Sequence, residues 1–183
     1  SSTSPYPPMN TFSPKDAVTF DVAKGDVRTG RDRCVLLTAE SLAVLLADAP
    51  AGARRKFGAS MGKAVGTTIA ARAGSGLLSG SLEGLTNELA GELSVRGLGL
   101  VSIEQWGKAI VFHVDHAAVN DAEVVSAVLE GALSAMTGKP VFVTSIGQGR
   151  HLFSGESAAA RAREFAASGA DYRGVLLKLQ ERG

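Results

Sequence analysis

Gly58 to Lys63 (GASMGK) holds the glycines and lysine of a phosphate loop. That loop needs one more residue between its glycines, and Ala64 stands where a Ser or Thr would hold magnesium. The stretch also lies inside a helical period rather than between strand and helix, so close helix packing accounts for it better. Gly74-Ser75-Gly76 through Gly80 has the glycines of a dinucleotide fingerprint, but it follows a helix and its last spacing is wrong, so it reads as a loop. His113 and His116 flank Asp115 in a stretch that reads as strand. Three residues apart on a strand means opposite faces, which argues against a shared metal ion. His151 stands alone in a hairpin. Cys34, the single cysteine, can form neither an internal disulfide nor a multi-cysteine zinc site and reads as a buried thiol. No Gly-x-Ser-x-Gly elbow is present. Arg54-Arg55-Lys56 opens a helix, where the dipole disfavours cations, and reads as a solvated face or a contact for an acidic partner. Trp106 sits at a hairpin tip, exposed for contact or folded back onto a sheet. Together these residues make no catalytic constellation, and the chain is not read as an enzyme; no cofactor and no metal are expected.

The elements that would position these residues follow from periodicity. Strands are expected over 17–23 and 31–37, joined at Lys24-Gly25-Asp26, and a helix over 39–48 behind Thr38. A second helix should span 53–73 and a third 81–96, with a 74–80 loop between them. Hairpins are expected over 100–105 with 109–115, and over 141–146 with 151–154. Between them Asn120 and Glu123 make a capping-box pattern for a helix over 122–137. An Ala/Arg-rich helix follows over 156–168, and 172–181 is ambiguous between strand and helix. Strands that arrive in hairpins predict an α+β fold: an antiparallel sheet with a layer of four to five helices. Residues 1–14 hold four of the six prolines and no amphipathic period, and are expected to be disordered. The rest, 15–183, reads as one α+β domain in which 155–183 could be a carboxy-terminal extension.

The chain has 183 residues, 45% hydrophobic and 20% charged, with a formal net charge of +1. That balance argues against nucleic acid as a partner. Its apolar runs are too short to span a membrane, and no export signal is visible, so the cytoplasm is the expected compartment. Alanine and glycine are abundant, 28 and 22 residues. In the second helix Phe57, Met61, Val65 and Ile69 recur every fourth residue, and Gly58, Gly62 and Gly66 recur one position later. A glycine costs a helix about 1 kcal/mol relative to alanine, so a smooth groove beside an apolar ridge implies a body that must come close.

Three runs resemble a known family. Gly30-Arg31 to Leu37, followed by a helix bearing Phe57-Gly58-x3-Gly62-x3-Gly66, resembles the opening of the 4-vinyl reductase domain, a small-molecule-binding family related in fold to the TRAPP vesicle-tethering subunits. Gly97-Leu98-Gly99-Leu100-Val101-Ser102-Ile103 and the hairpin through Val114 resemble its Gly-x-Gly strand and partner strand. Val125-x5-Gly131-x6-Gly138-Lys139-Pro140-Val141-Phe142-Val143 resembles its second glycine-bearing helix and next strand. Some members hold zinc with cysteines near the last helix and hairpin; here those positions carry Thr144, Gln148 and His151, so zinc is not carried over. The resemblance implies a TRAPP-like fold with helices on one side of the sheet, a hydrophobic cavity and pairing through helices. It implies no reaction. The expected function is a non-catalytic ligand-binding or sensory module of a bacterial cytoplasmic protein, holding a small hydrophobic molecule between helices 53–73 and 122–137 and the sheet. Phe57, Met61, Val65, Trp106, Phe112, Leu129, Leu133 and Met136 are the lining candidates. The alternative is a homodimerising or tethering module without ligand, in which Gly58, Gly62 and Gly66 receive a partner helix.

Overall fold

The computed structural model describes residues 12–74 and 81–181. The fold is α+β, with two antiparallel sheets. One helical turn, α1 (Pro14–Ala17), leads into β1 (Val18–Asp21), β2 (Asp26–Thr29) and β3 (Asp32–Cys34), which form a sheet in that order. Two strands were expected here and three form. Gly25 and Gly30 have φ of 60° and 59°, so each turns the chain tightly at no side-chain cost. The pairings Asp21↔Asp26 and Thr29↔Asp32 close the two hairpins. Residues 35–37, expected to extend the last strand, run outside the sheet.

Helix α2 (Ala39–Ala47) starts at Thr38, whose hydroxyl accepts from the Ser41 amide at 3.1 Å. Helix α3 (Ala51–Ala73) follows Pro50. Helix α4 (Leu82–Val95) is capped by Ser81, which accepts from the Gly84 amide. Strands β4 (Leu100–Trp106) and β5 (Ala109–Asp115) turn at Gly107. Helix α5 (Ala122–Thr137) takes Asp121 as its cap rather than the Asn120/Glu123 box; one Asp121 oxygen accepts from both the Glu123 and Val124 amides. Strands β6 (Phe142–Gly147) and β7 (Arg150–Ser154) precede α6 (Glu156–Ala167) and α7 (Tyr172–Gln180). Asp171 caps α7 through the Gly174 amide, which settles 172–181 as helix.

The second sheet runs β4-β5-β7-β6. Neighbouring strand residues point to opposite faces. On one face Val101, Phe112, Val114 and Val143 join a core with Val65, Leu89, Leu93 and Leu129 from α3, α4 and α5. On the other, Val111, Ile146 and Leu152 pack with Ala162, Tyr172, Val175 and Leu176 from α6 and α7. Helices therefore cover both faces, whereas the resemblance implied one.

Helices α3 and α5 cross at the glycines. A methyl group on Gly58 would stand 2.6 Å from the Val124 carbonyl oxygen, and one on Gly62 2.9 Å from the Ala132 amide nitrogen. Gly66 faces the Ala132 carbonyl, and Gly131 on α5 reciprocates by facing the Ala59 carbonyl. The side-chain-free groove of α3 is thus filled by α5 of the same chain. Of the stretch expected to be disordered, residues 1–11 lie outside the described residues, as do 75–80 of the expected loop. Phe12 has a place, with its ring against Gly91 and its amide donating to Glu88 at 2.7 Å.

Candidate ligand site

Two polar groups are buried around the core before any cavity is considered. The first joins α3 to α4. Arg72 donates to Glu92 and to Glu88, both at 2.5 Å, and Arg96 reaches the second oxygen of Glu92 at 3.4 Å. The Glu92 side chain is fully buried. Burial opposes the charge on Arg72, but its hydrogen bonds to Glu92 and Glu88, with the charge of both carboxylates, outweigh it and hold the guanidinium above its ordinary value. The sequence carried a signal for this group: Glu88 and Glu92 are four apart, each one residue before a leucine of the α4 stripe, hence beside the buried face.

The second group is His151 on β7, which shares a 2.8 Å hydrogen bond with the Ser126 hydroxyl of α5. Burial, with a smaller contribution from nearby His113, pushes the imidazole down to about 4. An unfolded chain holds this ring near 6.5, so between those values the unfolded state binds the proton and the native state does not. Stability is therefore full above pH 6.5 and declines as the pH falls toward 4, by about 3 kcal/mol. Urea titrations of wild type and His151→Gln across this range test it. The stability gap between the two should shrink on acidification, and a constant gap would mean that the native ring takes the proton freely.

The other histidine and the tryptophan belong elsewhere. His113 lies 3.9 Å from Glu104 and 3.5 Å from Asp115. Arg150 bonds Glu104 and holds that carboxyl below its ordinary value. Among the described residues no group of three or more His, Cys, Asp or Glu is placed to hold a metal ion. Trp106 donates to Glu104 and packs edge-on against Tyr172 of α7, 5.9 Å between centroids. It stands with the α6–α7 side of the sheet, away from the α3–α5 core.

The cavity lies where α3, α4 and α5 meet β4 and β5. Met61 projects from α3, Leu93 from α4, Val101 and Val114 from the strands, and Val125, Val128 and Leu129 from α5. Leu98, Val119 and Val124 complete the lining, and every lining side chain is apolar. The cavity volume is about 20 Å³. Of the candidates from sequence, Met61 and Leu129 line it. Val65, Phe112, Leu133 and Met136 are buried in the surrounding core, with Phe57 packed against it. The valines at 101, 114, 119, 124, 125 and 128 were not singled out for this role, because a valine on a buried face looks the same in a sequence whether it lines a cavity or fills a core. Such a lining can exclude water and match a shape; it offers no group for proton transfer or nucleophilic attack.

This chain shares its fold with a solved structure. The crystal structure of the phenol-responsive sensory domain of the transcription activator PoxR, with phenol, matches it with a TM-score of 0.61. The match covers 82% of this chain and 90% of the PoxR chain at 18% identity. At that identity the likeness to the PoxR domain is one of fold. No protein-family model matches the sequence, and no curated protein matches it. Among the described residues no helix is long and apolar enough to cross a membrane.

Proposed function

We propose that the chain is a non-catalytic sensory module of a bacterial cytoplasmic protein, taking a small hydrophobic molecule between α3, α5 and the β4–β5 hairpin. One observation carries the reading: a wholly apolar cavity at the junction of three helices and a sheet. The fold shared with a phenol-responsive domain supports it, as does the sequence resemblance to the 4-vinyl reductase domain. A volume of about 20 Å³ holds a single water, whereas a dry cavity of about 150 Å³ holds benzene. An aromatic ligand therefore enters by repacking the lining. Met61 yields first, because its unbranched thioether chain has several rotamers at little cost. Met61 and Leu129 then touch the ligand, and Phe57, Val65, Phe112, Leu133 and Met136 belong to the core that must adjust.

Thermal unfolding with and without phenol, benzene or indole tests this. A ligand that binds only the native state raises the midpoint by mass action. Met61→Ala should lower intrinsic stability by about 2 kcal/mol and enlarge the ligand-induced rise. If no small aromatic shifts either protein, the ligand reading fails. The small cavity favours the second reading, a dimerisation or tethering module whose core is simply filled. That reading predicts no ligand response and no co-purifying compound by native mass spectrometry.

A further inference from the structure

We propose that the groove between the second sheet and the α6–α7 layer is a further binding site, taking a small hydrophobic molecule that ends in a carboxylate. The groove has a volume of about 530 Å³, within the ~300–1,000 Å³ of small-molecule sites. Leu152 of β7 and Leu176 of α7, both almost wholly buried, line it together with Ala158 of α6 and Leu179 of α7. This space is open without repacking, unlike the cavity of about 20 Å³ in the α3–α5 core. Leu152 and Leu176 pack with the α6–α7 side of the sheet, whereas Val101, Val114 and Leu129 of the small cavity pack with the other. The groove therefore does not depend on whether the core cavity takes a ligand.

Its charge selects the occupant. The ionisable side chains lining it are Lys108, in the β4–β5 turn, and Arg161, on α6 three residues after Ala158. Both are cationic, and among the described residues no acidic side chain lines the groove. A carboxylate that enters meets positive charge in the lining, which offsets the cost of taking its own charge out of water. Its hydrophobic body is left for the leucines, which a phosphate or another wholly polar anion could not use. The mouth is held in place before any ligand arrives. Gln180 at the end of α7 donates to the Trp106 carbonyl at 3.1 Å, and the Trp106 ring packs edge-on against Tyr172 at the start of the same helix. Both ends of α7 are thereby tied to the β4–β5 hairpin, so little ordering cost remains for binding.

Methyl NMR titration of the full chain with octanoate and with 1-octanol tests the proposal. Octanoate should shift the methyls of Leu152, Leu176 and Leu179, and should bind about 10-fold more tightly than the uncharged alcohol, as two partly exposed ion pairs allow. Lys108→Glu should lower the octanoate affinity about 10-fold and leave 1-octanol unchanged; Lys108 is exposed, so the fold should persist. Octanoate that shifts none of the three leucines overturns the proposal. So does octanoate that shifts only Met61, Val125 and Val128, which would place it in the core cavity and support that reading instead. Equal affinity for acid and alcohol, or an octanoate affinity that Lys108→Glu leaves intact, overturns the assignment of the carboxylate.

Discussion

Leucine in place of Gly62 should abolish the cooperative unfolding transition, and alanine there should lower stability by about 3 kcal/mol. A methyl at this position meets the Val128 carbonyl oxygen, with the Val128 carbonyl carbon at 2.8 Å and the Ala132 amide nitrogen at 2.9 Å. All three are backbone atoms of α5, so no rotamer change relieves the contact and the two helices must part. Parting them opens the core around Val65, Val128 and Ala132, which are almost wholly buried. Helix propensity works the other way, favouring alanine by about 1 kcal/mol, and the crossing should outweigh it. Gly52→Ala is the internal control. It lies in the same helix, and a methyl there meets nothing within 4 Å. Its midpoint should hold or rise slightly, whereas Gly62→Ala should fall by about 10 °C for a chain of this length. A Gly62→Ala chain as stable as wild type would mean that the helices do not approach as described.

Glu92→Ala should cost about 3–5 kcal/mol, the range for a buried ion pair that loses one member. Its carboxylate receives Arg72 on one oxygen and Arg96 on the other, from a side chain with no solvent exposure. Removing it leaves Arg72 with Glu88 and the Phe12 ring, and Arg96 with the Thr68 hydroxyl at 3.3 Å. The penalty is the stranded charge rather than lost packing, so Arg72→Met with Glu88→Leu, Glu92→Leu and Arg96→Met should cost less than Glu92→Ala, since apolar side chains of similar volume replace the whole ion cluster at little loss and leave no member charged alone. Raising the salt concentration should change neither result much, because a buried pair is poorly screened. Denaturant titration of the three proteins measures the effects. A quadruple variant at least as damaged as the single would show that the stranded charge is not what makes Glu92→Ala costly.

How much of this was legible in the sequence differs by element. The α+β class and the β4–β5 and β6–β7 hairpins were, because hairpin turns and capping residues are local. The first sheet was legible only in part: Gly30 gave no sign of a second turn so soon after Gly25, and a stretch read as one strand over 31–37 holds only Asp32–Cys34. The α5 cap moved by one residue because Asp121 and Asn120 are both good caps, and backbone geometry chose between them. The cavity lining was the least legible, since its valines come from β4, β5, α5 and the segment before α5, and pattern alone does not show which of them meet.

Periodicity says which side of a strand or helix is apolar or bare, because that depends only on residues three, four or two apart. It marked one side of α3 as free of side chains at Gly58, Gly62 and Gly66. That α5 lies there was decided by the tertiary structure, through Gly131 facing back toward Ala59. The pairing of β5 with β7, the second helical layer and the place of Trp106 on its side were decided there too. Each depends on contacts between residues far apart in the chain, and such contacts are chosen by the joint packing of the whole core rather than by any local run of residues.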